Sequence, residues 1–234
     1  MAEPLLAIKD LHGFYGESHV LQGVGLSIEP GEVVTIVGRN GAGKTTTLRA
    51  IMGILRERRG SISVAGVETV KMPPERIARL GVGYVPEERG IFASLNVAEN
   101  LMLPPILAPG GMTVEEIHRL FPNLRERARS PGSKLSGGEQ QMLAIARILR
   151  TGAKFLLLDE PTEGLAPVIV QQIGEVLAAI RAKGLTVLLV EQNLHFATSV
   201  ADRHYVMDSG RIVDMIPRAD VARSMARLEE YLGV

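Results

Sequence analysis

The sequence predicts an α/β fold: a core with a mostly parallel sheet, an N-terminal antiparallel β subdomain and a small helical subdomain. Apolar runs near 33–37, 82–86, 155–158 and 186–190 alternate with helix-like stretches near 44–52, 73–80, 137–150 and 168–182. Such alternation is the pattern of parallel strands covered by helices on both faces. The opening "LLAIKDLHGFYGESHVLQGVGLSIEPGE" is broken by glycines and by "EPGE", which predicts an antiparallel hairpin layer ahead of the main sheet. Between about 87 and 135 the chain is rich in proline and glycine, with no strong strand and two short amphipathic helical pieces.

Taken in order, the N-terminal layer and the first strands of the core fill 1–86, a helical insertion 87–151, and the rest of the core 152–234. "TVEE" at 113–116 has the spacing of a capping box and starts one helix of the insertion. "RERR" at 56–59 is expected as a solvated turn, and "DRHYVMDSGRIVDM" as a hairpin turning at Ser209-Gly210 before a terminal helix.

Composition limits the chemistry. The chain has 234 residues, 46% hydrophobic, enough for a substantial core. It has no cysteine, which removes disulfides, thiolate metal sites and thiol nucleophiles. Twenty-six basic and 26 acidic residues give zero formal charge, so no global field draws the chain to nucleic acid, and no nucleic-acid partner is expected. "MAEPLLAIKD" lacks the basic and long apolar segments of a secretory leader, and no apolar run approaches the roughly 20 residues of a membrane span. The expected location is cytoplasmic, with any membrane role supplied by a partner.

"GRNGAGKT", Gly38 to Thr45, follows a predicted strand and opens a predicted helix, the context that makes G-x-x-x-x-G-K-[ST] a phosphate loop. Its glycines let backbone N–H groups converge on phosphate oxygens, and the helix N-terminus adds partial positive charge. Gly38, Asn40, Gly41, Gly43, Lys44, Thr45 and Thr46 are the expected nucleotide contacts. Lys44 reaches the β and γ phosphates, and the Thr45 hydroxyl binds Mg²⁺. "FLLLDE" supplies two acids at a strand end: Asp159 for Mg²⁺ and Glu160 to activate the attacking water. The core is that of a phosphate-loop NTPase.

"LSGGEQQ", Leu135 to Gln141, is a further motif, and through it the chain resembles the ATP-binding cassette family, the ATPases of ABC transporters. The resemblance runs along nearly the whole chain in motif order. It implies ATP and Mg²⁺ as cofactors and a head-to-tail dimer, with an identical chain or a paralogous ATPase subunit. Ser136, Gly137 and Gly138 of one chain then close over ATP bound to the other. It also implies that Tyr15 stacks on adenine, the alternative being a packing role, and that the dimer sits peripherally on the cytoplasmic face of the cell membrane against membrane-spanning permease subunits.

Three places depart from the family pattern. Glu87 stands where a glutamine is usual, as an extra Mg²⁺ ligand or as a solvated acid on a hinge. "PTEGLAP" carries Glu163-Gly164-Leu165-Ala166 where a Ser-Ala-Leu-Asp stretch is common. Gln192, in "LLVEQN", stands where the family has its switch histidine; His195 and His204 are expected as surface or helix residues instead. Gln192 is assigned to the γ-phosphate, and Glu191 to orienting the loop.

"VPEERGIF" and "VEQN" together resemble ATPase subunits of importers for branched-chain or other hydrophobic amino acids, served indirectly by a solute-binding protein. A urea or amide importer and a soluble cassette ATPase are the alternatives. Ile91, Phe92, Leu95 and Val97 are expected either to line a groove for a permease helix or to fill the core of the insertion.

Overall fold

The computed structural model describes residues 3–233. Two sheets form its frame. The first is antiparallel, in the order β2-β1-β4-β5, from β1 (Leu6–Tyr15), β2 (Ser18–Ile28), β4 (Glu57–Val64) and β5 (Val67–Glu68). The second has six strands in the order β10-β9-β3-β8-β7-β6. These are β3 (Val33–Val37), β6 (Val82–Val85), β7 (Phe155–Asp159), β8 (Thr186–Glu191), β9 (Arg203–Asp208) and β10 (Arg211–Pro217). Five of the six run parallel, and β10 closes the edge as the antiparallel partner of β9.

Period-two alternation explains why the central strands are apolar throughout. On β7, Leu156 and Leu158 face one core while Phe155 and Leu157 face the other; on β8, Val187 and Leu189 oppose Leu188 and Val190 in the same way. Both faces of a parallel sheet are covered, so neither can be polar. The antiparallel sheet packs Leu6, Leu11, Leu21, Ile28 and Ile62 on one face, with α1 (Lys44–Ile51) inserting Leu48 and Ile51. The other face is covered by α6 (Gly137–Arg150) and α7 (Pro167–Ala182) through Leu143, Leu149, Ile173 and Ile180. A third cluster joins α8 (Leu194–Val200) and α9 (Val221–Leu232) to the β9–β10 edge through Leu194, Val206, Ile216 and Leu228.

The helical region holds three short helices before α6, not two: α3 (Val97–Met102), α4 (Val114–Leu120) and α5 (Pro122–Glu126). The remaining helix, α2 (Pro74–Arg79), leads into β6. Thr113 caps α4 with a reciprocal capping box to Glu116, as "TVEE" predicts.

Two further expectations are corrected, and one open choice is decided. "RERR" is not a solvated turn: Glu57, Arg58 and Arg59 begin β4, and Arg58 donates to the carbonyls of Leu55 and Met72, the latter at 2.7 Å. Carbonyls at the end of the α1 turn and before α2 need donors, and a guanidinium supplies several at once. His204 lies neither on the surface nor in a helix: it is fully buried in β9, with Nδ1 2.7 Å from the Thr35 hydroxyl. Val97 is 1% exposed, so it belongs to the core of the helical region and lines no groove, whereas Phe92 stands half exposed.

Parallel pairing has one consequence for chemistry. The carboxyl ends of β3, β8, β7 and β6 fall on one edge of the sheet, with Val37 opposite Glu191, Val190 opposite Asp159 and Leu158 opposite Val85. That edge is where open α/β sheets bind ligands.

Candidate functional site

A cleft of about 450 Å³ opens at this edge, lined by Tyr15, Asn40, Gly41, Gly43, Lys44, Thr45, Thr46, Glu87, Glu160, Glu163 and Gln192 among others. The turn from β3 into α1 forms its floor. Gly43, at the N-cap of α1, has φ of 107°, a conformation side chains rarely adopt, and it lets the loop fold back over the helix N-terminus. Lys44 follows as the first helical residue and is buried. Its Nζ donates to the Gly38 carbonyl at 2.9 Å and the Arg39 carbonyl at 3.2 Å, and pairs with Glu160 Oε1 at 3.2 Å. All three ammonium donors are therefore engaged.

Beside it, the Thr45 hydroxyl donates to Asp159 Oδ1 at 2.9 Å, and the Tyr84 hydroxyl donates to Asp159 Oδ2 at 2.9 Å. Burial raises the Asp159 carboxyl; the two hydroxyl donors work against that rise, and the neighbouring Glu160 charge adds to it. Tyr84 in turn is pushed up by burial and by the Asp159 charge. Its role is invisible in "VGYV": it depends on β6 pairing with β7, a long-range contact.

Glu160 is the strained residue of the site. It holds φ of 44°, a left-handed conformation that costs roughly 1–3 kcal/mol for such a side chain. Its N–H donates to the Val190 carbonyl at 3.0 Å, and its own carbonyl accepts from the Glu163 N–H at 3.1 Å. Its Oε2 accepts from Gln192 Nε2 at 2.9 Å. The same amide nitrogen also donates to Asn40 Oδ1. Gln192 thus bridges the phosphate loop and the strand-end acid.

Glu87 lies on the cleft wall. Its carboxyl is raised first by burial and then by Glu163, Glu160, Asp159 and Glu88. Glu163 belongs to this acidic group, a place that the sequence did not indicate. Tyr15 ends β1, 46% exposed at the mouth of the cleft. His195 is exposed on α8.

The residues present fit Mg²⁺. That ion takes hard oxygen ligands, keeps several waters and is commonly held by one or two protein groups plus substrate phosphates. The Thr45 hydroxyl and Asp159 carboxylate, already in contact, are such a pair. Among the described residues no group of three or more histidine or acidic side chains forms a closed metal cage.

Ser136, Gly137 and Gly138 are not brought to this cleft. They open α6, where the Ser136 hydroxyl accepts from the Glu139 N–H at 3.3 Å and Glu139 Oε2 accepts from the Ser136 N–H at 2.7 Å. Burial pushes the Glu139 carboxyl up, but Ser136 and the Arg127 guanidinium together outweigh it, so the net shift is down. The Ser136 N–H is therefore occupied. The N–H groups of Gly137 and Gly138 have no intrahelical acceptor in the first turn. Gly138 also has a packing reason: a Cβ there would stand 2.9 Å from two carbons of Ile169 on α7.

Fold and cleft together define a phosphate-loop nucleotide-hydrolysing cassette. The family model for the ABC transporter matches residues 21–163, more than half of the chain, and the chain belongs to that family as an ATPase. It is 40% identical to the high-affinity branched-chain amino acid transport ATP-binding protein BraG of Pseudomonas aeruginosa, across 98% of this chain and all of that one. It is 34% identical to the lipopolysaccharide export system ATP-binding protein LptB of Escherichia coli, over 97% of both. Among solved structures it superimposes with a TM-score of 0.80, at 26% identity over 91% of this chain and 98% of that one, on a dimeric ATP-binding cassette in a post-hydrolysis state bound to ADP and Pi. No helix of the described residues is long and apolar enough to cross a membrane.

Proposed function

We propose that this chain hydrolyses ATP to power an importer for branched-chain or other hydrophobic amino acids, docked peripherally on the cytoplasmic side of membrane-spanning permease subunits. A solute-binding protein is engaged only through those permeases. The identity with BraG over essentially the full length supports the substrate class. The observation that carries the chemistry is Glu160, held at once by Lys44, Gln192 and a strained turn at the strand ends. The chain divides for this work into 1–86, 87–151 and 152–234.

In this reading the N–H groups of the loop Gly38–Thr45 cradle the phosphates, with Asn40, Gly41 and Thr46 beside them, and Tyr15 stacks on adenine. Thr45 and Asp159, with Glu87 as an added oxygen ligand, would hold Mg²⁺, which would supply charge neutralisation for the phosphates. Lys44 exchanges Glu160 for phosphate oxygens, which frees the carboxylate to take a proton from the attacking water. The Gln192 amide donates to the γ-phosphate but shuttles no proton. Ser136, Gly137 and Gly138 of a second copy, or of a paralogous subunit, complete the site across a head-to-tail dimer.

The similarity to LptB supports a second reading, lipopolysaccharide export. Co-expression with permease subunits of a branched-chain amino acid importer, followed by leucine uptake into vesicles, decides between them. Uptake that requires intact Glu160 supports the importer; lipopolysaccharide extraction without uptake overturns it.

A further inference from the structure

Glu191 ends β8 behind the cleft and does not line it. It is 2% exposed. Its Oε1 accepts from the Thr162 hydroxyl at 2.7 Å and from the Thr162 N–H at 3.2 Å, and its Oε2 accepts from the Asn193 N–H at 3.2 Å. Thr162 lies two residues after Glu160, and Asn193 directly follows Gln192. One carboxylate therefore joins the turn that strains Glu160 to the turn that presents Gln192. All three donors are neutral, and a buried carboxylate without a cation is costly, more than a clamp alone requires.

We propose that Glu191 is a positioning residue for hydrolysis: its carboxylate locks the Glu160 turn to the Gln192 turn, so that acid and amide move as one unit. This rests on Glu160 acting as the base.

The lock depends on charge. Burial, and then the Glu160 charge, push the Glu191 carboxyl up to about 7 against its three hydrogen bonds. Ionisable side chains on the surrounding elements are Asp159 at the end of β7, Glu160 and Glu163 in the following turn, Lys44 on α1 through Glu160, and His195 on α8; β3 has none between Val33 and Val37. Protonated Glu191 turns one acceptor oxygen into a donor, which meets an N–H or hydroxyl donor head-on. The lock then loosens.

The test is kcat and KM for ATP against pH, measured on the purified chain for wild type, Glu191→Gln, Thr162→Val and Glu160→Gln, with thermal melts alongside. Wild type loses kcat as pH falls through about 7, and Glu191→Gln lacks that limb. At pH 8, Glu191→Gln and Thr162→Val lower kcat about ten- to hundredfold, in the range for a misplaced reacting group, with KM within about twofold. Glu191→Gln with wild-type kcat and the same acid limb overturns the proposal, as does a loss confined to KM or to melting temperature. Wild-type hydrolysis by Glu160→Gln overturns the base assignment instead; inactive Glu160→Gln beside unaltered Glu191→Gln overturns the lock alone.

Discussion

Glu160 sits in a conformation that its side chain disfavours, and four neighbours, Val190, Glu163, Lys44 and Gln192, hold it there. Replacing its carboxylate by an amide keeps the shape and removes the proposed proton acceptor, so Glu160→Gln is expected to lower ATP turnover by about 10²–10⁴, with nucleotide binding retained. Phosphate release by the purified variant, beside nucleotide titration, checks this. Two other buried groups give stability opposite dependences on pH. His204 is depressed to about 4, first by burial and then by the Arg218 charge. The stability it contributes is fully present above its unfolded value near 6.5 and is lost as pH falls toward 4. Glu191 is raised to about 7, so its contribution is fully present below its unfolded value near 4.5 and is lost as pH rises through 7. Between about pH 4.5 and 6.5 the two partly cancel. Urea unfolding of Glu191→Gln is therefore expected to show a steeper decline than wild type as pH falls from 6.5 to 5, by an amount on the order of 1–3 kcal/mol. Parallel curves for the two proteins would contradict this pairing.

At the scale of elements, the start of α6 is capped by a residue that the proposed mechanism also uses. Ser136 and Glu139 satisfy each other's N–H groups as a capping box, so Ser136→Ala is expected to cost about 1 kcal/mol of stability even without nucleotide, measured by denaturant unfolding. Any loss of activity in that variant has to be corrected for the lost cap. The central strands are the least forgiving elements: Leu157→Ala empties a site with no exposure and is expected to cost about 2–5 kcal/mol, readable in the same experiment.

The contrast shows what could be foreseen. The phosphate loop, the strand-end acids and the helix from 137 to 150 were legible because each is specified within a dozen residues. β4 was missed because "RERR" looks hydrophilic in isolation; its arginine is used by carbonyls up to fourteen residues away. Tyr84, Glu163 and the clamp by Glu191 were out of reach because each depends on which strands lie side by side. His204 was misplaced because only the sheet shows a histidine in "DRHYVMD" to be interior.

For the whole molecule, the cleft and the start of α6 are separate faces, and the proposed mechanism needs both on one nucleotide. Glu160→Gln, expected to bind ATP and to consume it slowly, is expected to change from monomer to dimer when ATP and Mg²⁺ are added, as read by light scattering. Adding Lys44→Ala should abolish the change. A surface that fits a different surface on its neighbour would ordinarily propagate into an open filament. If a two-fold axis relates the copies, each cleft meets the other's α6 and both faces of both chains are used at once. Growth then stops at two, and cooperativity between the paired clefts becomes a requirement of symmetry: neither nucleotide can be fully enclosed unless its twin is enclosed as well.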